Sequence, residues 1–311
     1  MSITDIVTLK DDFTLLLSGT DGDVAGGLEG HGIYLSDTRY LSFFELEVNG
    51  VKPDLLSHTL DYNIAATFRY GVPYTKQAEG GENEGLEITH APNAIGVTRQ
   101  RYIKHGLVES IELNNFYPEP VKISVTLKVG VDFADIFEVR GMRRDAPGHA
   151  VYVDMKGNDG SVVFRSRPID QPQGASAADS KRVSTQRSTS FTSNIAPSKC
   201  VQGEMQSLVT GLTVPVVTLQ YELELMPHKP VTLQVKIMPE PQSVGEASEK
   251  SREGFRAQVA EAKGVFTRWE EECTRVRTGN YELDRIFKTG TLDLRSLMQH
   301  WPQGLVVTAG I

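Results

Sequence analysis

The feature that most limits what this chain can fold into is a two-residue alternation of apolar and polar side chains. It recurs from near the N-terminus to about residue 237. The clearest stretch is Val121-Lys-Ile-Ser-Val-Thr-Leu-Lys-Val-Gly-Val-Asp-Phe133, in which every odd position is apolar and no even one is. Successive side chains of a strand point to opposite faces, so this period gives one dry and one wet face. Val217-Thr-Leu-Gln-Tyr-Glu-Leu-Glu-Leu225 and Val231-Thr-Leu-Gln-Val-Lys-Ile237 repeat the pattern. Met226-Pro-His-Lys-Pro230 separates them, a turn that proline forces because it cannot donate to a ladder. Phe44-Glu-Leu-Glu-Val48 runs into Asn49-Gly50, a strong hairpin signal. Residues 107–113 alternate less cleanly.

Strands with one dry face must stack on a second sheet or on helices. Helical periodicity is absent before residue 240, and several runs exceed the usual ~5–6 residues of a strand. The pattern predicts a mainly β fold: a large, supersandwich-like antiparallel β-sandwich. An apolar fraction of 39% is enough for its core. Residues 80–85 and 168–187, rich in small and polar residues, read as surface loops.

The period changes after Pro239-Glu-Pro241. Phe255, Val259, Ala262, Phe266, Trp269, Cys273 and Val276 follow in steps of four and three, one face of a helix expected over 243–278, with Cys273 in its core. Gly279 stops it, and Asn280 caps a second helix, with Glu282 and Asp284 in its first turn. That helix is expected over 281–300, ended by Trp301-Pro302. Its apolar residues Leu283, Ile286, Phe287, Leu294, Leu297 and Met298 need a cover: the sandwich, a second copy in a homodimer, or a further domain. The expected division is 1–240 β-sandwich, 241–279 linker helix and 280–311 first helix of a following domain. The apolar ending at 305–311 reads as a cut inside a folded unit.

Charge and motifs exclude several function classes. A net charge of -8 and a pI near 5.5 disfavour a nucleic-acid partner. The only dense basic run, 140–144, sits among Asp132, Asp135, Glu138 and Asp145, a mixed ion-pair surface. Two distant cysteines make no disulfide framework, and neither a signal peptide nor a membrane span is legible, so a cytoplasmic protein is expected. No cofactor is expected, since phosphate loop, dinucleotide fingerprint and nucleophile elbow are all missing. No metal is expected either: the histidines form no pair at ligand spacing, and Asp21-Gly-Asp23 reads as a turn.

The densest polar cluster follows the cleanest strand: Asp132, Asp135, Glu138 and Arg140, with Asp37 and Arg39 as a similar pair upstream. Paired carboxylates could serve glycoside chemistry. The structural alternative is a strand end whose acids pair with Arg140, Arg143 and Arg144. These six residues, Asp37, Arg39, Asp132, Asp135, Glu138 and Arg140, are candidates for sugar contact or a domain interface rather than for catalysis. Tyr70, Tyr74, Phe116 and Tyr117 are candidates for an aromatic sugar platform.

Gly32-Ile-Tyr-Leu-Ser-Asp-Thr-Arg-Tyr-Leu-Ser42, Leu46-Glu-Val-Asn-Gly50, Glu109-Ser-Ile-Glu-Leu113 and Asp132-Phe-Ala-Asp-Ile-Phe-Glu-Val-Arg-Gly141 together resemble the N-terminal domain of bacterial and archaeal glycogen-debranching (amylo-alpha-1,6-glucosidase-like) enzymes. Leu292-Asp-Leu-Arg-Ser-Leu297 with Thr308-Ala-Gly-Ile311 resembles the lead-in to that family's helical (α/α) toroid. The resemblance implies a non-catalytic β-sandwich domain packed on a hydrolase domain acting on α-glucans or related oligosaccharides. The catalytic carboxylates would then lie in the toroid, outside this sequence. A stand-alone carbohydrate-binding module is the alternative. A mutarotase-like epimerase would need His90 or His105 to face a pocket with a carboxylate.

Overall fold

The computed structural model describes residues 6–26, 30–76, 89–142, 149–156, 160–168, 186–241 and 255–308. Most of both expected loops lies outside these residues, as do Gly27, Arg143, Arg144 and Asp145.

The architecture is the expected mainly β one. A four-stranded meander opens the chain: β1 (Ile6–Asp11), β2 (Thr14–Gly19), β3 (Gly32–Leu35) and β4 (Thr38–Leu41). A second four-stranded sheet has the order β14 (Lys199–Gln206), β15 (Thr213–Leu225), β10 (Val121–Gly130), β5 (Phe43–Val48). The largest sheet has eight strands. Its order is β11 (His149–Lys156), β12 (Ser161–Pro168), β13 (Arg187–Ser193), β16 (Val231–Pro241), β9 (Leu107–Asn115), β8 (Thr89–Ile103), β7 (Ala65–Lys76), β6 (Asp54–Asp61). Neighbouring strands within these sheets are antiparallel.

The alternation decides which face of each strand is dry. Val121, Ile123, Val125, Leu127 and Val129 of β10 are buried, and β10 pairs along its whole length with β15, Val121 opposite Leu225. From the opposing sheet Leu107, Ile111 and Leu113 of β9 and Leu233, Val235 and Ile237 of β16 join the same core. The Tyr221 hydroxyl donates to Ser193 Oγ at 3.0 Å, tying β15 to β13 across the stack. Asn49 and Gly50 both take positive φ (53° and 76°), as a type I′ turn requires, and Val48 bridges Val51. The hairpin goes no further: β5 stays beside β10, while Lys52 and Pro53 lead the chain to β6 in the other sheet.

The blemish in the β9 pattern has a cause. Glu109 sits on the dry face and is fully buried, as are Arg99 and Arg101 of β8. Arg101 lies opposite Glu109 in the ladder. Arg99 Nε donates to Glu109 Oε1 at 2.6 Å and its Nη1 to Asp23 Oδ1 at 2.8 Å. Arg101 Nη2 approaches Glu109 Oε2 to 2.7 Å, without hydrogen-bond alignment. The guanidinium groups lie over the rings of Phe44 and Phe68, at 5.4 and 5.0 Å. Two cations and two carboxylates thus neutralise one another between the sheets. Burial opposes charge on both arginines. Glu109, with Tyr70 and Asp23, outweighs it at Arg99, whose pKa stands well above its usual value, whereas that of Arg101 is lowered.

The C-terminal part departs from the expected bounds. The first helix is described over α2 (Phe255–Glu272), with α1 the single turn Ile136–Val139. Cys273 and Val276 fall beyond α2, so Cys273 is a half-buried thiol after the helix rather than a core cysteine. Phe266 carries the packing of α2: it is buried with Ile64, Ala65 and Tyr102, its ring 5.7 Å from that of Tyr62. The second helix, α3 (Tyr281–Ser296), begins as expected, Asn280 Oδ1 accepting from the amides of Glu282 and Leu283. It stops at Ser296, not at residue 300. Met298–Trp301 and Gly304–Val307 form a hairpin, β17–β18, with Pro302 in its turn. Proline pushes the preceding residue out of helical conformation, and Trp301 instead packs edge-on against Phe13 at 5.6 Å. No residue of α3 is buried.

Truncating Glu109 to alanine would leave two buried guanidinium groups with only Asp23 as counter-charge. The expected loss is ~3–5 kcal/mol of stability, read as a lower urea midpoint; an unchanged midpoint would show that the network contributes nothing to the core.

Candidate functional site

All six sequence candidates gather at one end of the sandwich, but most are tied into the scaffold. Arg39 lies on β4 and Asp132 just past β10, both fully buried. Arg39 Nε donates to Asp132 Oδ1 at 3.1 Å, and Nη2 makes a short contact with Oδ2. Arg39 Nη1 reaches the His31 carbonyl at 3.2 Å. The remaining capacity of Asp132 is filled by Ser207 Oγ, donating at 3.0 Å, and the Ala134 amide at 3.2 Å. Burial opposes the charge on Arg39, but the Asp132 carboxylate outweighs it and keeps the guanidinium firmly protonated. Gly32 makes room for this pair: a Cβ there would meet Arg39 Cδ at 2.6 Å and the Leu41 carbonyl at 2.5 Å.

The remaining candidates shape the surface above the pair. Asp135 is the N-cap of α1, its carboxylate accepting from the amides of Phe137 and Glu138. Glu138 returns the bond to the Asp135 amide at 2.9 Å, completing a capping box. The Asp37 carbonyl accepts from the Ile136 amide, and Arg39 N–H donates to the Ala134 carbonyl, so the β3–β4 turn and α1 are laced together. Asp37 and Arg140 are exposed, beside the exposed Phe137 and Met142. Asp132 pairs with Arg39 rather than with Arg140, and Asp135 and Glu138 cap a helical turn, while Arg143 and Arg144, the other expected partners, lie outside the described residues. A helical N-cap needs an acceptor at its first amides, which the backbone cannot supply.

Sequence reading missed three partners of this site: His31, His149 and Ser207. Each is distant from Asp132 along the chain and carries no local signal. His149 Nε2–H donates to the Asp132 carbonyl at 2.8 Å. Burial holds the imidazole below its ordinary pKa, with Arg187 adding to the effect.

The aromatic candidates separate. Tyr70 is buried, its hydroxyl donating to the Asp21 carbonyl at 2.6 Å. Tyr74 and Tyr117 lie 5.3 Å apart and are half-buried, while Phe116 is exposed, 6.4 Å from His228. His105 sits on the exposed β8–β9 turn in a left-handed conformation, close enough to Asp11 to favour its ionised form; the side chain of His90 is outside those described. Asp21 and Asp23 form a turn, Asp21 Oδ1 accepting from the Asp23 amide, and Asp23 is held by Arg99 and Lys52. No described helix is long and apolar enough to cross a membrane.

Asp132→Asn should cost ~3–5 kcal/mol by leaving Arg39 buried without its counter-charge, whereas Asp135→Ala should cost about 1 kcal/mol through the lost cap. Urea titration separates the two. His149 is held neutral in the fold, so protonation near pH 6.5 favours the unfolded chain. Stability should fall as pH drops below about 6.5, and His149→Gln should flatten that slope.

No curated protein matches the sequence. Among solved structures, a protein assigned as a kojibiose phosphorylase from the human microbiome superimposes with a TM-score of 0.56 at 10% identity. The match covers 95% of this chain but 39% of that one, so the chain spans well under half the length of that structure. An inverting mannosidase of family GH92 from Bacteroides thetaiotaomicron VPI-5482 matches at 10% identity and a TM-score of 0.43, over 96% of this chain and 38% of that one. A protein assigned as an aldose 1-epimerase from Escherichia coli K12 matches at 8% identity and 0.42, over 76% and 99%. At such identities the likeness is one of fold. The family model described as the N-terminal domain of (some) glycogen debranching enzymes matches residues 9–236. With the β core, the Arg39–Asp132 pair and the capped turn all inside that span, the chain belongs to the family of N-terminal domains of glycogen debranching enzymes.

Proposed function

We propose that this chain is the non-catalytic scaffold and substrate-positioning domain of a cytoplasmic glycoside hydrolase of the amylo-alpha-1,6-glucosidase kind, acting on α-glucans or related oligosaccharides. One observation carries the reading: the densest acid cluster among the described residues is engaged by the scaffold itself. A glycosidase needs two carboxyl groups facing one another across a bond, roughly 5–9.5 Å apart and open to substrate. Asp132 is sealed beneath the surface and saturated by Arg39, Ser207 and a backbone amide, while Asp135 and Glu138 hold each other across a helical turn.

The C-terminal surface supports the second half of the reading. Tyr281, Leu283, Ile286, Phe287 and Leu294 of α3 are exposed, as are Leu305, Val306 and Val307 of β18. Burying a large apolar side chain is worth ~1.5–3 kcal/mol, so this face gains from a helical partner. In this proposal the partner is the (α/α) toroid that carries the reacting carboxylates. The fold-level match with a protein of more than twice this span fits that arrangement.

A carbohydrate-binding module is the competing reading, favoured by the Tyr74–Tyr117 pair and exposed Phe116. Two assays discriminate. Incubated with glycogen, pullulan or maltodextrins, the chain should release no reducing ends; turnover that vanishes in Glu138→Gln would refute the scaffold role. Calorimetric titration with maltooligosaccharides should show no binding that depends on Phe116; heat abolished by Phe116→Ala would favour the module.

A further inference from the structure

None of residues 273–308 is buried, whereas α2 just before them is anchored by Phe266, buried with Ile64, Ala65 and Tyr102. In place of a core, α3 and the β17–β18 hairpin have a short series of surface ties. Two come from tight turns of the sandwich. The Asp12 carboxylate, in the β1–β2 turn, accepts from the His300 amide at 2.8 Å, and Asn63 Nδ2, in the β6–β7 turn, donates to Asp293 Oδ1 at 2.9 Å. The Lys10 amide donates to the Asn63 carbonyl at 2.7 Å, which joins the two turns in one block. Trp301 adds its edge-on contact with Phe13. On the α2 side, Trp269 Nε1 donates to the Thr291 carbonyl at 2.9 Å, Lys288 pairs with Glu270 at 2.9 Å, and half-buried Leu292 packs on the Phe266 cluster.

Helix and hairpin are joined as one piece. β17 follows directly on Leu297, the C-cap of α3, and the Leu297 carbonyl accepts from both the amide and the hydroxyl of Thr308, just past β18, at 3.1 and 2.9 Å. The other end of the piece is as well defined. Thr278 donates from its amide and its hydroxyl to Asp284 Oδ1, at 2.6 and 2.8 Å, and so belongs with α3. The Cys273 amide donates to the Trp269 carbonyl at 3.0 Å and so belongs with α2. Between them, residues 274–277 are exposed and lie in neither helix nor strand.

A segment opens locally at a cost set by the contacts it loses, and exposed polar ties with little buried apolar surface make that cost small. Opening at 274–277 breaks the ties above without parting any strands of the three large sheets. We propose that residues 278–308 form a hinged strap that undocks from the sandwich as one unit about residues 274–277, with Asp12 as its latch. Such a strap gives the apolar face of α3 a range of positions relative to the sandwich, as a joint between two bodies requires. That the second body is a catalytic domain rests on the function proposed above; that the strap opens as one unit rests on these contacts alone.

The test is peptide-resolved hydrogen–deuterium exchange on the full chain and two variants. Asp12→Gly removes the latch carboxylate and Asn63→Gly the second tie, and glycine suits the left-handed backbone at both positions (φ 51° and 55°). In the parent chain the amides of α3 and of the hairpin should exchange together, well before those of β10 and β16. Asp12→Gly alters a tie to the hairpin alone, yet it should speed exchange in the middle of α3 as well as in the hairpin, roughly 3- to 10-fold. Asn63→Gly, which alters a tie to α3 alone, should do the same, with β10 and β16 unchanged in both variants. Acceleration confined to the element each tie touches would mean two independent pieces. Exchange unchanged in Asp12→Gly would mean that Asp12 latches nothing, and strap amides as slow as those of β10 would mean no opening short of unfolding. Each of these three results overturns the proposal.

Discussion

Taking a carboxylate out of water costs several kcal/mol unless a cation goes with it. Among the described residues, Asp23, Glu109 and Asp132 are buried, and each is met by a buried arginine. These pairs constrain the rest of the structure. Asp23 and Arg99 join the segment after β2 to the large sheet, and Arg39 and Asp132 join the meander to the exit of β10. Hydrophobic burial is non-directional and would tolerate sliding of one layer over another. An ion pair between sheets, with its remaining lone pairs filled by Ser207 and a backbone amide, has one geometry.

That economy bears directly on function. The acids that sequence alone would offer for chemistry hold the β3–β4 turn, α1 and the end of β10 in one block. What they leave at the surface is a patch bearing Asp37, Phe137, Arg140 and Met142. Under the scaffold function proposed above, a partner docking there gains most from groups already fixed before contact. The α3 face is of another kind, apolar and unburied.

Much of this was legible in the chain. Strand faces of β10, β15 and β16 followed from the alternation, the Asn280 cap from a single side chain, and the turn at 226–230 from its prolines. The Arg39–Asp132 pair was not legible, since its two members lie 93 residues apart and only the closing of the layers brings them together. Arg99, Arg101 and Glu109 stood in dry-face phase throughout, and their phase was the available signal for a buried network. The helix periodicity at 255–276 overshot α2: half-buried Cys273 and exposed Val276 keep the spacing beyond its last residue, Glu272.

The sequence by itself determined which side of each long strand faces inward and where α3 begins, because both depend on side chains a few residues apart. Only the tertiary structure decided that β5 and β6 belong to different sheets, that residues 298–307 form a hairpin, and that Asp132 is held by Arg39, Ser207 and the ring of His149 at its carbonyl. Those outcomes turn on groups far apart in the chain, whose meeting is fixed by how the layers close and by the need to leave no buried charge alone.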